Sequence, residues 1–100
     1  MVNVANFKAS LSAAAPATEL AAPLVALWWA GKGDWRKAHE IAQDENGADA
    51  AWVHAYLHRV EGDLSNANYW YRQAGQSAAI DPLETEWERI VSTLLQGHRA

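Results

Sequence analysis

Two histidines, His54 and His58, lie four residues apart in the stretch HAYLHRVEGD at residues 54–63. On a helix this spacing places both imidazoles on one face, one turn apart, and such a pair can hold Zn²⁺, Ni²⁺ or Cu²⁺. A structural zinc site needs four protein ligands, and a catalytic one needs three plus water. Because the chain has no cysteine, His39, Glu40 or Glu61 would have to complete the site.

The same two histidines also have a purely structural interpretation. An unsatisfied imidazole is costly to bury, so buried histidines would be neutral and hydrogen-bonded to neighbours such as Tyr71, Asn68 or a carboxylate. We take this interpretation as the first prediction, which therefore includes no metal ion and no other cofactor. The alternative is a small-ligand or metal-binding protein, or a cryptic enzyme, built around His54, His58 and Arg59 with His39 nearby.

Charge and composition exclude several other classes of function. The net charge is −4 and the eight Lys and Arg residues are dispersed except for Lys32, Arg36 and Lys37, so no basic stripe could neutralise several phosphates of a nucleic acid. The longest apolar run, residues 20–30, is 11 residues long and contains Pro23, which is too short to cross a bilayer. The lack of cysteine fits a reducing compartment, and we expect a cytoplasmic protein that binds neither nucleic acid nor membrane.

The elements that carry these residues are predicted to be helices. Alanine supplies 21 of the 100 residues and β-branched residues are scarce, which favours closely packed helices over a sheet. Apolar periodicity and capping residues predict one all-α domain of about five antiparallel helices without strands. Asp81-Pro82-Leu83-Glu84 gives the clearest helix start, with an N-cap, a proline at the first helical position and a capping-box glutamate.

An internal repeat organises the middle of the chain. An offset of 29 residues aligns Gly33-Asp34-Trp35-Arg36-Lys37-Ala38 with Gly62-Asp63-Leu64-Ser65-Asn66-Ala67. In both segments Gly can leave a helix through a left-handed conformation, Asp can cap the next helix, and Ala lets that helix pack closely on its partner. Each copy is therefore predicted to be a helical hairpin.

The hairpins resemble the tetratricopeptide repeat (TPR), through Ala55, Gly62-Asp63, Ala67, Tyr71 and Ala74 in the second copy. The first copy is similar at Ala26, Trp29, Gly33-Asp34, Trp35 and Ala38. The resemblance divides the chain into an N-terminal helix at residues 1–15, a degenerate repeat at 19–47, a second repeat at 48–80 and a C-terminal capping helix at 81–97. The tryptophan-rich segments also resemble small uncharacterised bacterial proteins of this repeat type.

The resemblance implies a non-enzymatic binding or assembly module that recognises a polypeptide or forms a homodimer. TPR proteins bind extended peptides on a concave surface, and the register places Asp49, Trp52, Tyr56 and Arg59 there; with His54 and His58 these are the predicted ligand-binding residues. Two aromatic rings would form an apolar platform and the guanidinium would hold a carboxylate. In the alternative, Trp52 and Tyr56 pack in the core and Arg59 pairs with an acid. Part of Tyr69-Trp70-Tyr71 is expected to pack on the last helix, with a dimer interface as the alternative.

Overall fold

A computed structural model describes residues 3–97 of the chain, so residues 1–2 of the predicted N-terminal segment and residues 98–100 lie outside the description. Within residues 3–97 the protein is all-α and contains no strand, as predicted, and it has six α-helices where about five were expected. The helices are α1 (Val4–Ala9), α2 (Ala22–Gly31), α3 (Trp35–Gln43), α4 (Ala48–Val60), α5 (Leu64–Ala74) and α6 (Leu83–Leu95), with a short 3₁₀ turn at Ser10–Ser12 after α1.

The two Gly-Asp joints have the same geometry. Gly33 and Gly62 both have φ of 86°, the left-handed region that glycine enters without a steric penalty. The side chains of Asp34 and Asp63 then accept hydrogen bonds from backbone N–H groups three residues on, and so cap α3 and α5. The chain thus forms two hairpins, α2–α3 and α4–α5, joined in the same way.

The start of α6 differs from the prediction. Pro82 is the N-cap residue, and no side chain caps the helix. The carboxylate of Asp81 instead pairs with Arg89, at 2.6 Å from Nη1, and Glu84 binds Lys8 at 3.2 Å. Because the two acids find partners on other turns and on α1, the predicted capping box does not form.

Helix α6 lies across the first helix of each hairpin, packing on α2 and α4, while α1 packs on α6. The indole N–H of Trp87 donates to the carbonyl of Leu27 at 2.9 Å inside the core, which fixes α6 against α2. Ile90 and Val91 are fully buried in the same layer. We call the surface of α2 and α4 that α6 covers the helix seat; it includes Leu27, Tyr56 and Arg59.

Candidate functional site

Arg59 lies in the helix seat, where it binds a carboxylate of the chain itself. Its Nη1 is 2.8 Å from Oε1 of Glu86 on α6, and its Nη2 donates to the carbonyl of Asp81. Glu86 is fully buried, and its second carboxylate oxygen accepts a hydrogen bond from the hydroxyl of Tyr71 on α5. The structure therefore shows the alternative arrangement, in which Arg59 pairs with an acid of the chain itself, and that acid is Glu86.

The hydroxyl of Tyr71 is held in its neutral form by these surroundings. Burial raises its pKa, and the hydrogen bond and negative charge of Glu86 raise it further. A charged phenolate beside a buried carboxylate would be strongly unfavourable. Tyr71 therefore serves as a stable donor to Glu86, and it links α5 to α6.

The other residues of the predicted peptide platform do not form an open surface. Trp52 and Tyr56 are buried in the core, with 6% and 7% of their surface exposed. Asp49 lies half-buried in the first turn of α4, ten residues from Arg59 and thus about 15 Å away along the helix. Since α6 covers the seat, the platform that the sequence predicts is occupied within the chain.

The histidines converge at a separate place, on the outer side of α4 where α3 and α5 flank it. Nε2 of His54 lies 3.1 Å from Nε2 of His39 on α3. His39, His54 and His58 each have one ring nitrogen that lies within 4.8 Å of a ring nitrogen of the other two. We call these three side chains the histidine cluster, and it joins the first hairpin to the second.

Two tryptophans fix the rings of the histidine cluster. The ring of Trp35 stacks on His39 at 4.7 Å between centroids, and that of Trp70 stacks on His54 at 4.0 Å, both at interplanar angles of 10°. The indole N–H of Trp35 also donates to the carbonyl of Leu57, at 2.7 Å. Part of Tyr69-Trp70-Tyr71 was expected to pack on the last helix: the hydroxyl of Tyr71 contacts Glu86 of α6, whereas the flat face of Trp70 covers His54.

Glu61 orients the third histidine. Its Oε2 lies 2.7 Å from Nδ1 of His58, which leaves Nε2 as the nitrogen available to other partners. Glu40, the other acid considered from the sequence, is exposed on α3 and is not part of the histidine cluster. The cluster therefore combines three imidazoles with one carboxylate at its edge.

Burial disfavours the charged form of two of the three imidazoles, those of His39 and His54. Burial lowers the pKa of His54 to about 4, with a smaller contribution from the neighbouring His39 and His58. Burial also lowers the pKa of His39, and His58 lowers it further. Neutral imidazoles are the form in which histidine accepts hydrogen bonds and binds metals.

A cavity of about 380 Å³ lies beside His54. Trp70 and Gln73 of α5 line one side, and Asn46 and Gly47 of the α3–α4 loop line another. The half-exposed ring of His39 adds a second approach to the cluster from the surface of α3. The histidines are thus enclosed by aromatic rings but are not sealed inside the core.

Sequence reasoning named His39 and Glu61 as groups that could join His54 and His58, and the structure brings all four together. Burial of Glu86 was not predicted. An acid near the start of α6 was assigned to the exposed acidic face of that helix, although Glu86 lies on its apolar stripe. Helical spacing does give a signal for its burial. Glu86 is one turn after Leu83, one turn before Ile90 and next to Trp87, which places it close to the apolar face of the helix. The roles of Trp35 and Trp70 required the ring geometry.

No helix in the described part of the chain is long and apolar enough to span a bilayer. No protein-family profile, no curated protein and no solved structure matches the chain.

Proposed function

We propose that the chain is a non-enzymatic binding and assembly module that recognises an acidic amphipathic helix through the helix seat on α2 and α4. Within one molecule this helix is α6. In an assembly, an equivalent helix of a polypeptide partner, or α6 of a second copy, takes the same place. The observation that carries the proposal is the seating of α6, with the Glu86 carboxylate held by Arg59 and Tyr71.

The seat supplies both affinity and selectivity. Apolar contacts come from the core layer around Leu27, against which Trp87, Ile90 and Val91 of α6 are buried. Selectivity comes from Arg59, because a helix that lacks a carboxylate at this point would leave the guanidinium without its partner. The recognised ligand is therefore an apolar helix with one inward acid.

The connection to α6 allows exchange between copies. Residues 75–82 join α5 to α6 without helical structure, and Ile80 within this segment is almost fully exposed. A segment of this kind lets α6 leave its own seat while the two hairpins stay intact. We propose that the hairpins are TPR-like repeats that use the first helix of each pair to hold a polypeptide, as the resemblance implies.

Peptide binding to the full chain tests this proposal. A fluorescein-labelled peptide of residues 82–97 is titrated with the wild-type chain and with a full chain carrying Glu86→Gln, in which the resident α6 is held less tightly. By fluorescence anisotropy, we expect the Glu86→Gln chain to bind the peptide about tenfold more tightly than the wild type, since one charged hydrogen bond is worth about 1.5–3 kcal/mol.

Two matched peptides serve as controls. A peptide with Glu86→Gln should bind the same chain about tenfold more weakly than the natural peptide. A peptide with Glu84→Gln should lose much less affinity, because the Glu84 side chain is 75% exposed and its ion pair with Lys8 is screened by solvent. Failure of the natural peptide to bind either chain saturably, or equal binding of all three peptides, would contradict the proposal.

A further inference from the structure

We infer that His39, His54 and His58 bind a divalent transition-metal ion of the zinc class, with Glu61 as the carboxylate that orients His58. The inference goes beyond the proposed recognition of a helix and does not depend on it. The histidine cluster lies where α3 and α5 flank α4, whereas the helix seat is formed by α2 and α4. Either function can therefore be lost while the other remains.

The separation of the ligand nitrogens fits a small ion. Two imidazole nitrogens that each lie about 2.0–2.1 Å from a tetrahedral zinc are about 3.3 Å apart. Nε2 of His39 and Nε2 of His54 are 3.1 Å apart, and the nitrogen offered by His58 lies within 4.8 Å of both.

The three rings are held ready for such an ion. Trp35 stacks on His39 and Trp70 stacks on His54, so neither ring has to be ordered when the metal binds. The ring of His58 stacks on that of His54 at 4.9 Å between centroids. Preorganised ligands lose little side-chain entropy on binding, and this raises affinity.

Glu61 completes a pattern that metal-binding histidines commonly show. A ligating histidine usually donates its second ring N–H to a carboxylate or carbonyl, which fixes the tautomer and makes the ligating nitrogen more basic. Nδ1 of His58 lies 2.7 Å from Oε2 of Glu61. The proton is thereby placed on Nδ1, and Nε2 is left free to bind the ion.

The donor set selects the class of metal. Three imidazole nitrogens suit Zn²⁺, Cu²⁺ or Ni²⁺, whereas Ca²⁺ and Mg²⁺ require oxygen ligands. With three protein ligands, a fourth position remains for water or a ligand from solution.

Calorimetry on the untagged, full-length chain tests the inference. The background carries His98→Gln, because this fourth histidine lies outside the described residues. After treatment with a chelator, ZnCl₂ should bind with one-to-one stoichiometry and low-micromolar or stronger affinity. His39→Asn, the change at the most exposed of the three ligands, should weaken zinc binding at least 30-fold.

A pair of charge-matched variants tests the role of Glu61. Glu61→Gln should weaken zinc binding about tenfold, as loss of an outer carboxylate commonly does. Glu19→Gln removes the same charge from an exposed position before α2 and should leave zinc affinity unchanged. Equal affinity in Glu61→Gln and Glu19→Gln would overturn the orienting role.

A second measurement needs no variant. Co²⁺ added to the metal-free chain should produce visible absorption bands stronger than those of the six-coordinate aqueous ion, and excess Zn²⁺ should remove them. The inference is overturned if neither Zn²⁺ nor Co²⁺ binds saturably in the micromolar range, or if a folded His39→Asn chain binds zinc as tightly as its background. Circular dichroism establishes that the variant is folded.

Discussion

The guanidinium of Arg59 and the carboxylate of Glu86 form an ion pair inside the protein, with Nη1 2.8 Å from Oε1 and Glu86 fully buried. The two residues are 27 positions apart in sequence and belong to α4 and α6. This pair, together with the hydroxyl of Tyr71, fixes the last helix on the two hairpins. The proposed recognition of an acidic helix is argued from this ion pair.

Removing one partner of this ion pair should destabilise the folded state. We expect Arg59→Met to lower the free energy of unfolding by about 3–5 kcal/mol, because Glu86 is left as an uncompensated buried charge. Urea denaturation followed by circular dichroism measures the change. The double variant Arg59→Met, Glu86→Leu should recover part of the loss, and a double variant less stable than Arg59→Met alone would contradict the explanation.

The hydrogen bond from Tyr71 to Glu86 predicts a loss of stability in alkali. The pKa of Tyr71 is raised in the folded protein, so the folded state holds the proton that the unfolded state releases above about pH 10. The stabilisation is complete below that pH and declines as pH rises towards the folded value. Urea midpoints between pH 8 and pH 11 should therefore fall with pH.

Two Tyr→Phe variants identify the source of this pH dependence. Tyr71→Phe should be less stable at pH 8 and should show a shallower alkaline decline, although Tyr56, whose pKa burial raises to about 12, retains its own contribution. Tyr69→Phe, at an exposed position, should behave as the wild type does. An unchanged slope in Tyr71→Phe would assign the alkaline transition elsewhere.

Because the two Gly-Asp joints have the same geometry, replacing the glycine of either joint should lower the free energy of unfolding by the same amount. Gly33→Ala and Gly62→Ala should each lower the free energy of unfolding by about 1 kcal/mol, since both glycines have φ of 86° and neither added Cβ would meet another atom within 4 Å. Ser65→Ala, at an exposed helical position, is the control and should cost little. Costs that differ strongly between the two glycines would contradict the equivalence of the joints.

Metal binding at the histidine cluster should stabilise the fold. Zinc at about one hundred times its dissociation constant adds about 2.7 kcal/mol of stability, which for a chain of this size raises the melting temperature by roughly 10 °C or more. A chelator should reverse the shift. The His39→Asn chain, melted with and without zinc, should show no comparable increase; a full shift in that variant would contradict the assignment of His39.

The sequence allowed much of the architecture to be predicted. The helical class, the two Gly-Asp joints, and the caps at Asp34 and Asp63 follow from local rules that act over one or two turns. The capping of α6 failed because Asp81 and Glu84 have stronger partners in Arg89 and Lys8. A capping pattern in the sequence therefore fails as a prediction where the tertiary fold gives the same side chains ion-pair partners.

The candidate sites were less accessible to prediction. Arg59 was recognised as a group that could hold a carboxylate, yet the acid that it holds is 27 residues away on another helix. His54 and His58 were paired by their spacing, but the approach of His39 depends on how α3 packs against α4. Side-chain convergence between helices is set by packing, which a single sequence does not encode in any local pattern.

The most direct test of the helix seat is the indole N–H signal of Trp87 in a ¹⁵N NMR spectrum of the full-length Glu86→Gln chain, recorded while unlabelled peptide 82–97 is added. If the peptide takes the seat, α6 is displaced and the Trp87 signal moves to the position of a solvent-exposed indole, because its bond to the Leu27 carbonyl is lost. The signal of Trp35, which is bonded to the Leu57 carbonyl, should stay in place. A Trp87 signal that does not move at saturating peptide would contradict recognition of a helix by this seat.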